Sequence, residues 1–413
     1  MKTQFEDSLR PVWKEPRAIA LLLAASLVIM ANATISPSLP GLEAEFAGDP
    51  NALVLTRLLV PAPSLAVVLA APFAGIATDR FGRRPLLLAG LALFVLSGPA
   101  GLCLPDLGWI LASRLVLGVA VAMIMTAQTA LVGDYFSGQR RSALMGLQVS
   151  ARNFGGMGFI LLAGALASIA PRLPFAIYGL AVLYLPFVWR IVRDVPRDGG
   201  AARAAVGAGC DVATTPWFWP ILALAGLQMV TAMVFFLNPT QIPFYAGTLG
   251  YESASMTGAY LGVLMFCGGM TALLYSRIRQ WIGDSGGYSA GFGLMALGFG
   301  LLPFGNQPWL LLAGGGLIGS GYAMVTPIFI TIALRLAPVQ RRGIVGGIMT
   351  SAMFLGQFAS PFASIPAIAA FGYEPVFFAA ASGFAVLAAL AAVAGRLMLR
   401  PQPDRAKAVR AEP

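Results

Sequence analysis

Runs of about twenty apolar residues recur along this whole chain, the first reading AIALLLAASLVIMANATI from Ala18. A helix rising 1.5 Å per residue needs about that length to cross some 30 Å of hydrocarbon. Inside the bilayer every backbone polar group must find its partner within the protein, which leaves helices as the spanning element for runs of this length. About twelve such runs can be read, at 18–40, 53–77, 84–104, 108–133, 142–168, 173–192, 217–246, 255–275, 287–304, 308–333, 343–369 and 374–397. Only 11% of the 413 residues are charged, where a soluble domain has roughly 25%. The fold class expected is therefore an all-α membrane protein of 12 transmembrane helices. The first run follows Lys2, Arg10, Lys14 and Arg17 and lacks a small-residue cleavage site, so it reads as a retained helix and not as a signal peptide.

The basic residues orient these spans, because cytoplasmic loops are enriched in Lys and Arg. With a cytoplasmic N-terminus, 23 of the 27 Lys and Arg residues fall on the inner side: four before the first span, fourteen in the inner loops and five in the C-terminal tail. Arg57 and Arg172 lie near the outer surface, and Arg114 and Arg152 fall inside spans. Both termini are thus expected in the cytoplasm of a cell with an inner membrane. Positive-inside topology and anionic lipid headgroups account for the net charge of +10 without a nucleic-acid partner. Of the 17 acids, eleven sort to the inner side and six, Glu43, Glu45, Asp49, Asp106, Glu252 and Glu374, to the outer. None is left for the membrane interior.

The chain has no histidine, and Cys103, Cys210 and Cys267 form neither a disulfide framework nor a metal motif. No metal or cofactor is expected. An enzyme would want embedded His, Asp or Glu for acid-base work, which argues against a polytopic membrane enzyme; a non-transporting receptor stays open as the reading from another class.

The inner connection from Arg193 to Pro216, RDVPRDGGAARAAVGAGCDVATTP, is Gly/Ala-rich and polar and reads as a flexible linker. It divides the chain into halves at 1–192 and 217–413, with 193–216 between them. The halves resemble each other: QRRSALMGLQVSARNFG (139–155) aligns without gaps on QRRGIVGGIMTSAMFLG (340–356), identical at seven of seventeen positions. Six-helix repeats of this kind place a substrate site between the halves near the bilayer midplane.

After the second run comes GIATDRFGRRP, residues 75–85. It resembles the G-x-x-x-D-R-x-G-R-R loop of the major facilitator superfamily through Gly75, Asp79, Arg80, Gly82, Arg83 and Arg84, and twelve spans in two halves extend the resemblance over the chain. The resemblance implies a transporter working by alternating access, with a conformational latch. Gly75 would admit a neighbouring helix closely, Asp79 would sit against the positive N-terminus of the eleventh helix, and Arg83 would pair with Asp134. SRLVLGVAVA carries Arg114 and Gly118 as in the family's R-x-x-x-G motif, and SPSLPGLEAEF resembles the first-helix ending of the drug:proton antiporter branch. Two features depart from that branch. Asn32, Ala33 and Thr34 stand where several relatives carry an embedded acid, and Phe159 and Ile160 stand where its fifth helix has a Gly-Pro step. A carboxylate-based antiport mechanism is thereby put in question.

Arg152 lies eleven residues past Arg141, roughly 16 Å along a helix from the inner edge. That is near the midplane, beyond the reach of snorkelling. A charge there costs roughly 2.5–3.5 kcal/mol even on a lenient scale, which favours a wet cavity over lipid. The sequence offers no intramembrane acid to pair it, and the second repeat has Met353 at the matching position. Substrate contact is the preferred reading; satisfaction by carbonyls or water is the alternative. Arg114 could partly reach the outer interface. Two arginines without acids would make the cavity electropositive, suited to carboxylate or phosphate. The other candidate substrate contacts are Asn32, Gln128, Asn238, Gln241, Tyr245, Tyr322, Met353 and Gln357, each of which could equally be an interhelical hydrogen bond or packing.

The chain is thus expected to export an amphipathic organic anion or drug-like metabolite, with proton coupling left open and organic-anion uptake, exchange or uniport in the same fold as the alternative. A monomer in the lipid bilayer is expected.

Overall fold

The computed structural model describes residues 12–194, 217–338 and 341–398. Apart from Arg193 and Asp194, the expected linker lies outside the described residues, as do Cys210 and the basic tail beyond residue 398.

Every regular element among the described residues is helical, and twelve helices are long and apolar enough to span a bilayer. They are α1 (Pro16–Glu45), α2 (Ala62–Phe81), α3 (Arg83–Leu102), α4 (Leu107–Tyr135), α5 (Ala143–Ile169), α6 (Leu173–Ile191), α7 (Phe218–Thr248), α8 (Ser253–Tyr275), α9 (Ser285–Phe304), α10 (Pro308–Leu336), α11 (Arg342–Phe371) and α12 (Tyr373–Ala394). The expected run at 53–77 is the one that differs most. It splits into a short helix, Ala52–Leu58, and α2, because Pro61 and Pro63 withdraw backbone donors at the junction. In α1, regular helix ends at Ala33, passes through a tighter turn at Ser36–Ser38 and resumes at Leu39, where Pro37 and Pro40 cannot donate. Glycines with positive φ make the sharp reversals between α2 and α3 (Gly82, +94°) and between α8 and α9 (Gly283, +65°).

The twelve helices form two pseudo-symmetric six-helix halves. α1 packs on α5, and α4 on α2 and α3; in the second half α7 packs on α11, and α10 and α12 on the α8–α9 pair. The sequence repeat becomes structure at Gly155 and Gly356. A Cβ on Gly155 would fall 2.9 Å from Ser26 of α1, and one on Gly356 would fall 2.1 Å from the Met229 carbonyl oxygen of α7. Each glycine thus lets the fifth helix of its half lie against the first, and no larger residue fits without displacing it.

One end of the bundle carries Arg80, Arg83, Arg84, Arg140, Arg141, Arg341 and Arg342, and the other carries Glu43, Glu45, Asp49, Asp106, Glu252 and Glu374. At the acidic face the halves meet. Gly164 of α5 and Gly258 of α8 cross so closely that a Cβ on either would fall 2.9 Å from the other's Cα. Beside that crossing Ser168 Oγ donates to the Glu252 carboxylate at 3.1 Å. Arg57, buried, pairs with Glu43 at 3.6 Å and lies 4.0 Å over the Phe244 ring of α7. Toward the basic face the halves part: Ser64 of α2 and Gln357 of α11 are buried together, but Asp79 and Gly343, farther along the same two helices, are exposed.

Candidate functional site

Arg152 sits about a third of the way along α5 from its basic end. Its face of the helix can be followed from the basic end inward: Met145 and Val149 are 49% and 42% exposed, Arg152 is partly exposed, and Gly156, one turn on, is buried against Ile29 of α1. On either side α5 is held by neighbours, Gly155 against Ser26 of α1 and Asn153 against Gly268 and Gly269 of α8. The guanidinium therefore stands at the inner end of the space between the halves, where it narrows. No hydrogen bond, ion pair or ring contact engages it among the described residues, and its Nε is sealed from solvent without a partner. Neither an acid nor a carbonyl has been recruited to it. A buried donor left unmade costs about 1–3 kcal/mol, so this arrangement is an expense for the fold.

Arg114, the other intramembrane arginine, also has Nε and Nη1 buried without a hydrogen-bond partner, but its guanidinium is engaged elsewhere. It is fully buried, and its Nη2 donates to the carbonyls of Ser97 and Gly98, where α3 leaves regular helical geometry. The last carbonyls of a helix carry partial negative charge that favours a cation. The guanidinium also lies 4.9 Å from the Phe175 ring and 4.7 Å from the Tyr178 ring of α6, within range for cation–π attraction. Four residues on, Gly118 admits the Pro63 carbonyl of α2, 2.3 Å from where a Cβ would be. The R-x-x-x-G segment thus ties α4 to α2, α3 and α6 inside its own half. Arg114 points away from Arg152 and from the gap between halves, and the reach toward the outer interface considered for it is not made, because carbonyls and rings lie nearer.

The neutral polar candidates fall into two groups. Asn32 and Gln357 meet across the halves: Asn32 Nδ2 donates to Gln357 Oε1 at 3.3 Å and to Ser64 Oγ at 3.4 Å, and Ser64 Oγ donates to the same Gln357 oxygen at 2.7 Å. A lone serine after two prolines carries no signal in the sequence, so only its partners mark Ser64. The other group is spent within one half. Gln128 Nε2 donates to the Leu21 carbonyl of α1, Gln241 Nε2 to Ser364 of α11, and the Tyr245 hydroxyl to the Leu302 carbonyl after α9. Asn238 donates to the Phe235 carbonyl and accepts from the Tyr260 hydroxyl. Asn238, Gln241 and Tyr245 do share one side of α7, but that side faces its own half. Tyr322 stacks on Phe235 at 3.8 Å between ring centroids, and Met353 is partly buried on α11.

At the basic face Arg83 pairs with Asp134. Asp194, just after α6, accepts the backbone N–H groups of Arg83 and Arg84 at 3.1 and 2.9 Å, a carboxylate at the positive N-terminus of α3. Arg84 also donates to the Trp189 carbonyl at 2.8 Å, tying the start of α3 to the end of α6. Asp194 could not be foreseen, since its partner lies 110 residues away. The close approach expected at Gly75 is not made in this structure: a Cβ there, or on Gly343, Gly346 or Gly347 of α11, would meet nothing within 4 Å. The reason is the separation of the halves at this end.

Comparison with known proteins bears on the whole architecture. The family model described as Major Facilitator Superfamily matches residues 21–287. Among curated proteins, the class C tetracycline resistance protein of Escherichia coli is 26% identical over 315 residues, covering 72% of this chain and 78% of that protein. The quinolone resistance protein NorA of Staphylococcus aureus is 22% identical over 318 residues, with 74% and 78% covered. Multidrug resistance protein 2 of Bacillus subtilis is 36% identical over 120 residues, 28% of this chain and 29% of that one. Among solved structures, the D-xylose-proton symporter superposes with a TM-score of 0.72 at 16% identity, covering 89% of this chain and 96% of that one. The human organic anion transporter MFSD10 superposes with a TM-score of 0.68 at 20% identity, covering 91% and 99%.

Proposed function

Since the chain belongs to the major facilitator superfamily and is a multi-pass membrane transporter, we propose that it exports an amphipathic organic anion or drug-like metabolite by alternating access, with Arg152 as the principal anion contact. The basic face is taken as cytoplasmic by the positive-inside rule. The structure is then open to the cytoplasm, where an exporter collects its cargo. The drug-resistance names of the tetracycline and quinolone relatives support outward transport.

The observation that carries the reading is the unengaged guanidinium at the narrowing of the space between halves. Low-dielectric walls strengthen its field, and the sequence places no acid in the membrane interior to compete with cargo. The Asn32–Ser64–Gln357 cluster between the halves is neutral, so closure of α1, α2 and α11 at that level involves no proton. The Arg83–Asp134 pair, with Gly75 and Asp79, serves as the latch that engages α11 when the basic face closes.

A second reading, exchange of one anion for another, draws on the same observation. Returning empty would carry an uncompensated guanidinium through a closed intermediate, whereas a bound anion neutralises it. Flux in proteoliposomes tests both. The wild-type protein moves an organic acid, and Arg152→Met, which copies the second repeat, does not; transport of the acid by the variant at the wild-type rate sinks the anion-site reading. Acceleration by the same acid on the far side marks exchange.

A further inference from the structure

Arg152 is not alone on its face of α5. Gln148 lies one turn nearer the basic face, at the i, i+4 spacing that places side chains roughly 5–6 Å apart at Cβ. Its Nε2 is buried and has no hydrogen-bond partner, the same condition as Nε of Arg152. Neither residue makes any other hydrogen bond or ion pair among the described residues. The hydroxyl between them, Ser150, turns back to the Gly146 carbonyl at 3.5 Å and competes with neither.

The repeat bears on both positions together. Gln148 aligns with Met349 and Arg152 with Met353, while Gly146, Ser150, Ala151 and Gly155 are matched by identical residues in α11. Met349 is fully buried there and packs as an apolar side chain. A fifth helix of this architecture therefore folds with methionine at both positions, and α5 carries two donors in place of two thioethers. Met145 and Val149, exposed on the same side of the helix, lie between Arg152 and the basic end.

We infer that Gln148 and Arg152 form one oxyanion subsite and that its ligand is a carboxylate. This rests on the reading that Arg152 contacts the substrate. The guanidinium neutralises the charge and donates to one oxygen, and the Gln148 amide donates to the other. One positive charge matches a carboxylate, whereas a phosphate monoester carries about −1.5 to −2 and would bring uncompensated charge into the membrane interior.

The test is binding to the purified full chain of octanoate, salicylate and 1-pyrenebutyrate, each against its uncharged amide. The wild-type protein prefers the acids. Gln148→Met weakens them about tenfold, the loss of one hydrogen bond to a charged group, and leaves amide binding unchanged. Gln148→Glu places an acid one turn before Arg152, satisfies the guanidinium from within, and abolishes the preference in a protein that still melts cooperatively. If both Gln148 variants bind the acids as the wild type does while Arg152→Met loses them, the subsite is overturned and the anion reading stands. If the wild type prefers no acid over its amide, or Arg152→Met keeps the preference, both fall.

Discussion

Replacing Arg152 with methionine should stabilise the ligand-free protein while removing its affinity for anions. An arginine near the centre of a spanning helix costs about 2.5–3.5 kcal/mol, and a structural arginine recovers that from carbonyls, acids or rings. Arg152 recovers none of it from the described residues. Methionine is the residue that the second half carries at the matching position, and its unbranched thioether fills irregular space. The expected gain is at most about 3 kcal/mol, less the hydration supplied by the open basic face. Thermal unfolding of the purified protein, at one scan rate because membrane proteins melt irreversibly, reads the effect as a rise in Tm of the unliganded variant. An organic acid raises the Tm of the wild type by mass action and leaves the variant unmoved. A fall of several degrees for unliganded Arg152→Met would mean that the guanidinium holds helices together, and the argument for a binding role would collapse.

Arg114→Met should have the opposite sign, because it strips donors from the Ser97 and Gly98 carbonyls and a cation from two rings; a loss of about 1–3 kcal/mol appears as a lower Tm with organic-acid affinity unchanged. Gly356→Ala should fold poorly, since its Cβ would lie 2.1 Å from a backbone oxygen, whereas Gly347→Ala meets nothing within 4 Å and gains up to about 1 kcal/mol of helix propensity; yield and Tm of the two compared decide it. Burial works against the charge of Glu252, but donors on Ser255, Ser168 and Ala254 outweigh it and hold the carboxylate below its ordinary 4.5. That lowering links folding to the ionised carboxylate: the stability Glu252 contributes is fully present above pH 4.5 and is lost as the pH falls through the lowered value. Thermal unfolding of the wild type and of Glu252→Gln across that range reads it, and the same pH dependence in the variant would assign the effect elsewhere.

Much of the architecture is legible in the sequence because hydrocarbon acts on each segment locally. Twelve spans could be placed by length and polarity, and only the α2 start moved appreciably, at a junction where two prolines decided the break. The repeat could be read because Gly155 and Gly356 answer the same steric demand, and a missing Cβ leaves a mark in sequence. Partners leave no such mark. Gln128, Gln241 and Tyr245 looked as available as Asn32 and Gln357 until the packing of distant helices gave them carbonyls and hydroxyls within their own halves.

The two arginines show the division most plainly. The sequence by itself determined that Arg114 and Arg152 lie inside spans without an acid to neutralise them. Only the tertiary structure decided that Arg114 is enclosed by the end of α3 and the rings of α6, while Arg152 is left at the narrowing between halves. The depth of a charge follows from counting residues along one helix. What compensates that charge depends on atoms brought from other helices, and no local pattern encodes those.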